Sequence, residues 1–399
     1  MKRWPLLVYT KGVSASGANC VRGSASWKPG RSVEGLGGGE RGRICMKDWS
    51  NAPWVDPSLG WKPRPVTELP ERALIDFATK CNLRCPMCPV WGSEDDNAID
   101  SVKGIMNVDA ARRLLDEMMA AQPLVQPSMY GEPLLIPDLR ARITDMKTRG
   151  MTVAFNTNGL TLHDDLARFF VDIKIDSVFF SLEGVTRETL KKVRGVDKIE
   201  KIEAAIFRLL AARGERTLPR IGVTMTKQDG NAHEEEAFVA RWAGIVDCVR
   251  IGLIFENGTY PDMKPPAKRV PCPAIYQTMP VHNDGTVTIC CLDGFKMTDV
   301  GNVFTDGVQA VWQGEAFAKV RYYHETEQWD KVPFCRDCNG WAQQEFVEEI
   351  RDGLLIRRSP QFSYYNRIDR LNSWTGRLVA GHPAPPTAAE IVARQMAAE

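Results

Sequence analysis

Cys81-Asn82-Leu83-Arg84-Cys85-Pro86-Met87-Cys88 gathers three thiols in a CxxxCxxC placed directly after a predicted strand. Soft thiolates at this spacing can hold three corners of an iron–sulfur cubane and leave the fourth iron open, which suits a catalytic metal better than a structural one. The competing reading is a zinc site that uses Cys85 and Cys88 alone. A second group lies far downstream: Cys272, Gly285 and Cys290, then Cys335-Arg336-Asp337-Cys338. Four thiolates there would close a metal site completely, either as a second cluster or as structural zinc. Cys291 could replace Cys290 as a ligand or stay a free thiol. Cys248 begins a predicted strand and is either a small buried hydrophobe or a group aimed into a barrel mouth. Eleven cysteines in 399 residues, an odd number in a large chain, argue for metal or redox use over a disulfide scaffold. Cys20 and Cys45 fall outside the expected folded region.

Such groups need a scaffold, and from about residue 72 the pattern alternates strand and helix. Strands are predicted at 73–77, 126–130, 151–155, 177–181, 220–225 and 248–253. Helices are predicted at 109–121, 138–149, 163–171, 186–193, 198–213 and 233–243. About six β–α units imply a parallel sheet or barrel with its chemistry on the loops after the strands' C-terminal ends. The expected fold class is α/β: a partial (β/α)6 TIM-type barrel followed by a small α+β cysteine-rich domain. In the latter, Val281–Cys291 reads as a hairpin turning at Asp284-Gly285. The expected division is a disordered Gly/Ser-rich segment 1–47, a Trp/Pro-rich arm 48–71 lying on a folded surface, a barrel 72–262, the cysteine-rich domain 263–345 and an extension 346–399. Met46 is an alternative translation start.

Lys and Arg number 51 against 50 Asp and Glu, a net charge of +1. That balance gives no electrostatic case for a nucleic-acid partner or an anionic membrane surface. No apolar run approaches the roughly 20 residues that span a bilayer, and the N-terminal apolar stretch is too short for a secretory signal. A cytoplasmic protein is the expectation.

The cysteine triplet and its β–α context resemble the radical S-adenosylmethionine (AdoMet) enzymes over most of residues 72–345. The resemblance implies a [4Fe–4S] cluster on Cys81, Cys85 and Cys88 whose open iron is chelated by AdoMet. Reductive cleavage of AdoMet then gives methionine and a 5′-deoxyadenosyl radical that takes hydrogen from substrate. Gly131-Glu132-Pro133 matches the family's Gly-Gly-Glu-Pro-like motif, with Tyr130 in place of the first glycine. Gly131 would let backbone approach the ligand and Glu132 would hold the AdoMet ammonium. The segment Phe155–Gly159 resembles the family's Thr-Asn-Gly lining of the AdoMet pocket, making Asn156 and Asn158 candidates. Ser181 and Glu183 match a Ser-x-Asp-Gly position, for the carboxylate or ribose. Arg194 is a candidate partner of the AdoMet carboxylate. Met87 would lie near the adenine, or simply pack. The Cys272–Gly285–Cys290 pattern resembles the entrance to a SPASM domain. Because no cysteine follows Cys338, the resemblance is to the shortened twitch form, with one auxiliary [4Fe–4S] cluster on Cys272, Cys290, Cys335 and Cys338.

Two clusters of different kinds point to a redox step in which the closed one accepts or passes an electron. In the twitch group this resembles dehydrogenases that oxidise a secondary alcohol of a sugar or aminocyclitol. Arg250, Glu256 and His282 are the candidates for a base near the substrate hydroxyl. The alternatives are a peptide maturase, an epimerase with Cys248 or Cys291 as hydrogen donor, and, outside enzymes, a zinc-stabilised binding protein. Expected partners are a small-molecule or peptide substrate and an external electron donor such as flavodoxin or ferredoxin.

Overall fold

The structure is a computed structural model that describes residues 19–20, 44–46, 48–342 and 346–373. Six strands form its centre: β1 (Arg72–Ile75), β2 (Leu124–Gln126), β3 (Thr152–Thr157), β4 (Ser177–Ser181), β5 (Arg220–Lys227) and β6 (Cys248–Leu253). They pair in chain order, every pair parallel. Between them run α1 (Val108–Met118), α2 (Leu139–Thr148), α3 (Asp164–Asp172), α4 (Arg187–Arg194), α5 (Ile199–Arg213) and α6 (Glu235–Trp242). This is the expected partial barrel. The second strand lies slightly earlier than the pattern at 126–130 implies. Pro127 has no N–H for a ladder, so the chain leaves the sheet and 127–132 becomes the loop above β2.

Alternation along each strand sorts the side chains. Val153, Phe155, Val178, Phe180, Ile221, Val223, Met225, Val249 and Ile251 join the helices' Leu114, Ile143, Phe170, Ile202, Leu209 and Trp242 in one buried core. The opposite face, including Phe179, Gly222, Thr224 and Arg250, is left for the barrel lumen. At the lower rim two carboxylates stitch neighbouring strands. Asp176 accepts from the Val153 amide at 2.7 Å and pairs with Lys147 at 2.6 Å. Asp247 accepts from the Ile221 amide at 2.8 Å and is gripped by Arg213 and Arg370.

The sheet extends past the barrel on both sides, to twelve strands. Beside β1 lies β7 (Thr278–Val281), parallel to it, then β8 (Thr286–Thr288) and β9 (Asp299–Asn302), both antiparallel. The hairpin expected at 281–291 is thus β7–β8, turning at Gly285, whose φ of 85° is one that side chains disfavour. Beyond β6 the C-terminal extension adds β10 (Val347–Arg351), β11 (Leu354–Arg358) and β12 (Phe362–Arg367). Of these β12 pairs antiparallel with β6. These three strands were not read from the sequence.

The Trp/Pro arm does lie on a folded surface: Trp54 and Trp61 stack edge-on against Tyr322 at 5.6 and 4.9 Å, and the Trp61 indole donates to Glu325 at 2.7 Å. Asn19–Cys20 pairs antiparallel with Cys45–Met46, so two cysteines set aside in the sequence reading stand opposite each other in a short ladder. The remainder of the segment expected to be disordered, and the residues after 373, lie outside the described residues.

Candidate metal and cofactor site

The loop after β1 is bent so tightly that a side chain at Gly92 would lie 2.5–2.7 Å from the carbonyl oxygens of Cys85, Pro86 and Cys88. Only glycine closes that turn, and the turn brings Cys81, Cys85 and Cys88 together. Burial, then the Glu132 carboxyl and the Cys85 and Cys88 thiols, pushes the Cys81 thiol up to about 11. Burial likewise raises Cys85, against the pull of the adjacent Arg194 guanidinium. Thiols packed this way are costly to ionise unless a cation shares the space, and bound metal supplies that charge. Cys88 Sγ already accepts the Trp91 amide at 3.3 Å, the kind of N–H···S contact that tunes cluster thiolates. Among the described residues no three His, Cys, Asp or Glu side chains converge closely enough to share one ion. The packed thiols and the N–H···S contact fit the group.

The AdoMet candidates ring this loop. Asp76, wholly buried just past β1, accepts from the Met129 amide at 2.6 Å and the Tyr130 amide at 3.3 Å. It thereby folds the 128–132 loop back over β1. Gly131 is pressed so closely there that a Cβ would collide with the Ala78 carbonyl. Its freedom therefore serves this contact with the cysteine loop's entry. Glu132 is buried, and its carboxylate accepts from Thr157 Oγ1 at 2.5 Å, the Asn158 amide at 2.7 Å and the Leu134 amide at 3.1 Å. Three of its roughly four acceptor positions are taken by the chain, which leaves one for a ligand ammonium. Asn158 donates in turn to Asn82, inside the cysteine motif, at 2.8 Å. Glu183 (φ 68°) is buried and accepts from the Thr226 amide. Arg194 reaches the Ser181 carbonyl at 2.9 Å and Glu183 at 3.4 Å. Its Nε is buried with no hydrogen-bond partner among the described residues, and the guanidinium lies beside Cys85, so it has a donor left for a ligand carboxylate. Met87 Sδ lies 3.0 Å from Gln228 Nε2. The structure thus brings Met87, Gly131, Glu132, Asn158, Ser181, Glu183 and Arg194 around the first cysteine loop. Asn156 instead faces the lumen and accepts from Arg250 at 3.0 Å. Asp76, Asn82, Gln228 and Asn231, which donates to the Glu183 carbonyl at 2.9 Å, were not singled out from the sequence.

The second group assembles beyond β7 and β8. Cys272 is pushed up to about 12 by burial, with Cys338 and Cys291 adding, and Cys335 is raised by burial with Cys272 and Cys338 adding. Cys290 Sγ accepts from the Leu292 amide at 3.4 Å and Cys338 Sγ from the Gly340 amide at 3.3 Å. Arg269 lies over the Trp329 ring at 4.3 Å and holds the carbonyls of Cys335 and Arg336, at 2.5 and 2.8 Å. Cys290 and Cys291 share a hydrogen bond that raises the first and lowers the second to about 7. Either can be the fourth ligand, so this donor set also fits a cluster.

One side chain spans the two groups. Tyr130 packs on the buried group of Val90, Trp91, Ile99 and Val102, against which Cys81 and Cys88 also pack, and its hydroxyl donates to the Cys291 carbonyl at 2.7 Å.

Three of the proposed catalytic side chains do not join this centre. Cys248 is fully buried at the start of β6, packed with Phe179 and Tyr364, and so lies at the opposite end of the strand from the mouth. Glu256 is exposed in a turn closed by its own backbone bonds to Thr259. His282 is buried in the β7–β8 turn, 3.5 Å from Thr288 Oγ1, and burial lowers it to about 4, so it is a neutral packing residue. Arg250 does face the lumen, and Cys291 sits in the second cysteine group.

The family model described as the radical SAM superfamily matches residues 75–239, and one described as an iron–sulfur cluster-binding domain, SPASM, matches 272–339. Over 137 residues the chain is 27% identical to a tungsten-containing aldehyde ferredoxin oxidoreductase cofactor-modifying protein of Pyrococcus furiosus, covering 30% of this chain and 37% of that one. Over 140 residues it is 34% identical to a probable GTP 3′,8-cyclase of Saccharolobus islandicus, covering 35% and 42%. The chain thus spans about two fifths of the length of these curated relatives. The solved structure of Streptococcus suis SuiB bound to S-adenosylmethionine superposes with a TM-score of 0.50 at 13% identity, over 70% of this chain and 71% of that one. A likeness at that identity carries the fold alone. The family matches bring AdoMet and a [4Fe–4S] cluster, and an auxiliary iron–sulfur domain with them. Among the described residues no helix is long and apolar enough to cross a membrane. The two matched segments each contain one of the cysteine groups: residues 75–239 form a radical SAM domain and residues 272–339 a SPASM-type iron–sulfur domain.

Proposed function

We propose that the chain is a radical AdoMet oxidoreductase that removes hydrogen and an electron from a small-molecule alcohol, using an auxiliary cluster in the redox step. When bound, the first cluster and AdoMet supply a hydrogen-abstracting radical, and the second cluster supplies an electron acceptor. The reading rests on Tyr130, a single side chain that touches the loop of one cysteine group and hydrogen-bonds the backbone of the other. A link of one residue between the two cysteine groups supports a redox step that uses both. Cys81, Cys85 and Cys88 are the proposed ligands of the first cluster, and Cys272, Cys335 and Cys338 with Cys290 or Cys291 those of the second. Glu132, Glu183 and Arg194 orient AdoMet, and Asp76 holds the loop that carries Glu132. The burial of Cys248 supports dehydrogenation over epimerisation, because a hydrogen donor must meet the substrate radical.

Anaerobically reconstituted protein should hold about eight iron per chain from two cubanes. With reductant it should release deoxyadenosine and methionine from AdoMet. The C81A/C85A/C88A variant should keep about half the iron and release neither product. Zinc in place of iron, or release by the triple variant, overturns the proposal.

A further inference from the structure

The lumen of the barrel is lined by arginine. Arg72 on β1, Arg220 on β5, Arg250 on β6 and Arg357 on β11 all project from the face opposite the helix-packed core, as the alternation with Ala73, Ile221, Val249 and Ile251 requires. Arg250 stands next to Thr224 and Tyr364 in the strand register, and Tyr364 next to Arg357. Arg220 and Arg250 both lie on the Phe179 ring, at 5.3 and 5.2 Å from its centroid. Gly222 leaves the room, since a Cβ there would meet that ring. Arg72 projects from the same face of β1, on the other side of the barrel, and the charges that act on it are Cys291 first, then Tyr364 and Glu71.

The carboxylates around this group have other partners. Glu348 pairs with Arg357 at 2.8 Å, Glu183 with Arg194, and Asp247 with Arg213 and Arg370. Glu71 neighbours Arg72 in sequence, and its charge acts on it. Arg72 and Arg250 form no ion pair among the described residues. Arg250 meets only the neutral oxygens of Asn156, at 3.0 Å, and Thr224, at 3.4 Å. Arg72 meets Thr278 Oγ1 at 3.3 Å, and its buried Nε has no partner. Both guanidinium groups are half-buried and their hydrogen bonds go to neutral oxygens, which leaves donors in reserve, and a planar fork is built to take an oxyanion through two parallel bonds.

We propose that the lumen, between Arg72, Arg250 and the Tyr364 wall, binds an oxyanion carried by the substrate, a phosphate ester or a carboxylate, and so selects an acidic small molecule. This deepens the alcohol-oxidation reading and rests on it. The anion anchors at mid-strand depth, and the carbon to be oxidised then points up toward the cysteine loop at the strands' C-terminal ends.

The test is calorimetric titration of AdoMet-loaded holoprotein with pyrophosphate, succinate and the neutral polyol myo-inositol. Pyrophosphate or succinate should bind saturably, one per chain, and more weakly as salt rises, while myo-inositol should not. R250Q and R72Q should each weaken the anion about tenfold or more with AdoMet affinity and iron content unchanged. R250K, which keeps the charge and loses the fork, should fall between, and covers the case in which a glutamine variant fails to fold. Absence of saturable binding by either anion, variants that bind as the parent does, or anion that merely displaces AdoMet each overturns the proposal. Deoxyadenosine release is measured separately, so a failed anion site leaves the radical chemistry standing, and failed radical chemistry leaves anion binding measurable.

Discussion

The Glu132 side chain is the best place to perturb the AdoMet loop, because its partners are all on the chain. Its carboxylate takes two buried backbone amides, Asn158 and Leu134, and one hydroxyl, Thr157. Burial pushes its carboxyl up, and those three donors pull it back toward ionisation. In E132Q the amide oxygen can replace Oε1, toward Thr157 and Leu134. The NH2 then faces the Asn158 N–H, donor against donor. A hydrogen bond to a charged group contributes about 1.5–3 kcal/mol, and a buried donor left unmade costs a similar amount. The loop should therefore open more easily by about 2–3 kcal/mol, which accelerates exchange of the Asn158 amide by about 30- to 150-fold. T157V removes one donor and keeps the charge, so its effect should be near the lower end or below it. The assay is amide exchange resolved at Asn158 and Leu134, with AdoMet affinity measured alongside and expected to drop. Exchange within about threefold of the parent at both amides, a shift of roughly 0.6 kcal/mol, would refute the view that Glu132 holds the loop.

G92A should lose about four iron per chain, since a methyl group cannot enter among the carbonyls of Cys85, Pro86 and Cys88; iron and sulfide analysis checks this, and full occupancy contradicts it. Burial alone would raise Glu234, but the hydroxyls of Thr186 and Thr189 and the Val185 and Thr186 amides hold it below the ordinary 4.5. Being depressed, it contributes stability above that value and loses it as pH falls through its folded pKa, so protection of the Val185 and Thr186 amides at the start of α4 should fall on acidification and E234Q should abolish that dependence. C248A should cost about 1 kcal/mol or less in stability, with deoxyadenosine release and solvent-deuterium incorporation unchanged; loss of deuterium incorporation would return the thiol to the mechanism.

The cysteine groups and the six β–α units were legible because both are local: a spacing within eight residues, and apolar periodicities of two and 3.6. Ser181, Glu183 and Arg194 were legible as turn motifs whose positions follow from the strands. Asp76 was not, since it reads as the end of an apolar strand and acts on the amides of Met129 and Tyr130. His282 and Glu256 were misjudged for the converse reason. Each sits beside chemistry-bearing residues in sequence, yet one is folded under a hairpin and the other left in an exposed turn. Strand β10, Val347-Glu348-Glu349-Ile350-Arg351, is exposed throughout and shows no alternation to read. The lumen arginines were hidden because their common face exists only once strands far apart in the chain close on one another.

The substitution of Tyr130 for the usual first glycine of the motif looks in sequence like a weakened match, and in the fold it has a use. A glycine there could not reach from the buried Val90 and Trp91 to the Cys291 carbonyl. Gly294, on the auxiliary side, is shaped to accept it: a Cβ at 294 would lie 2.5 Å from Val90 Cγ2 and 2.9 Å from the Tyr130 ring. The bulk at this seam comes from Tyr130, and Gly294 leaves it room. The same loop carries Glu132 two residues on and hangs from Asp76 at the end of β1. Tyr130 therefore joins the Cys291 carbonyl to the loop that carries Glu132. The two halves of the molecule, matched by separate family models, meet in one hydrogen-bonded element that both cofactor sites must share.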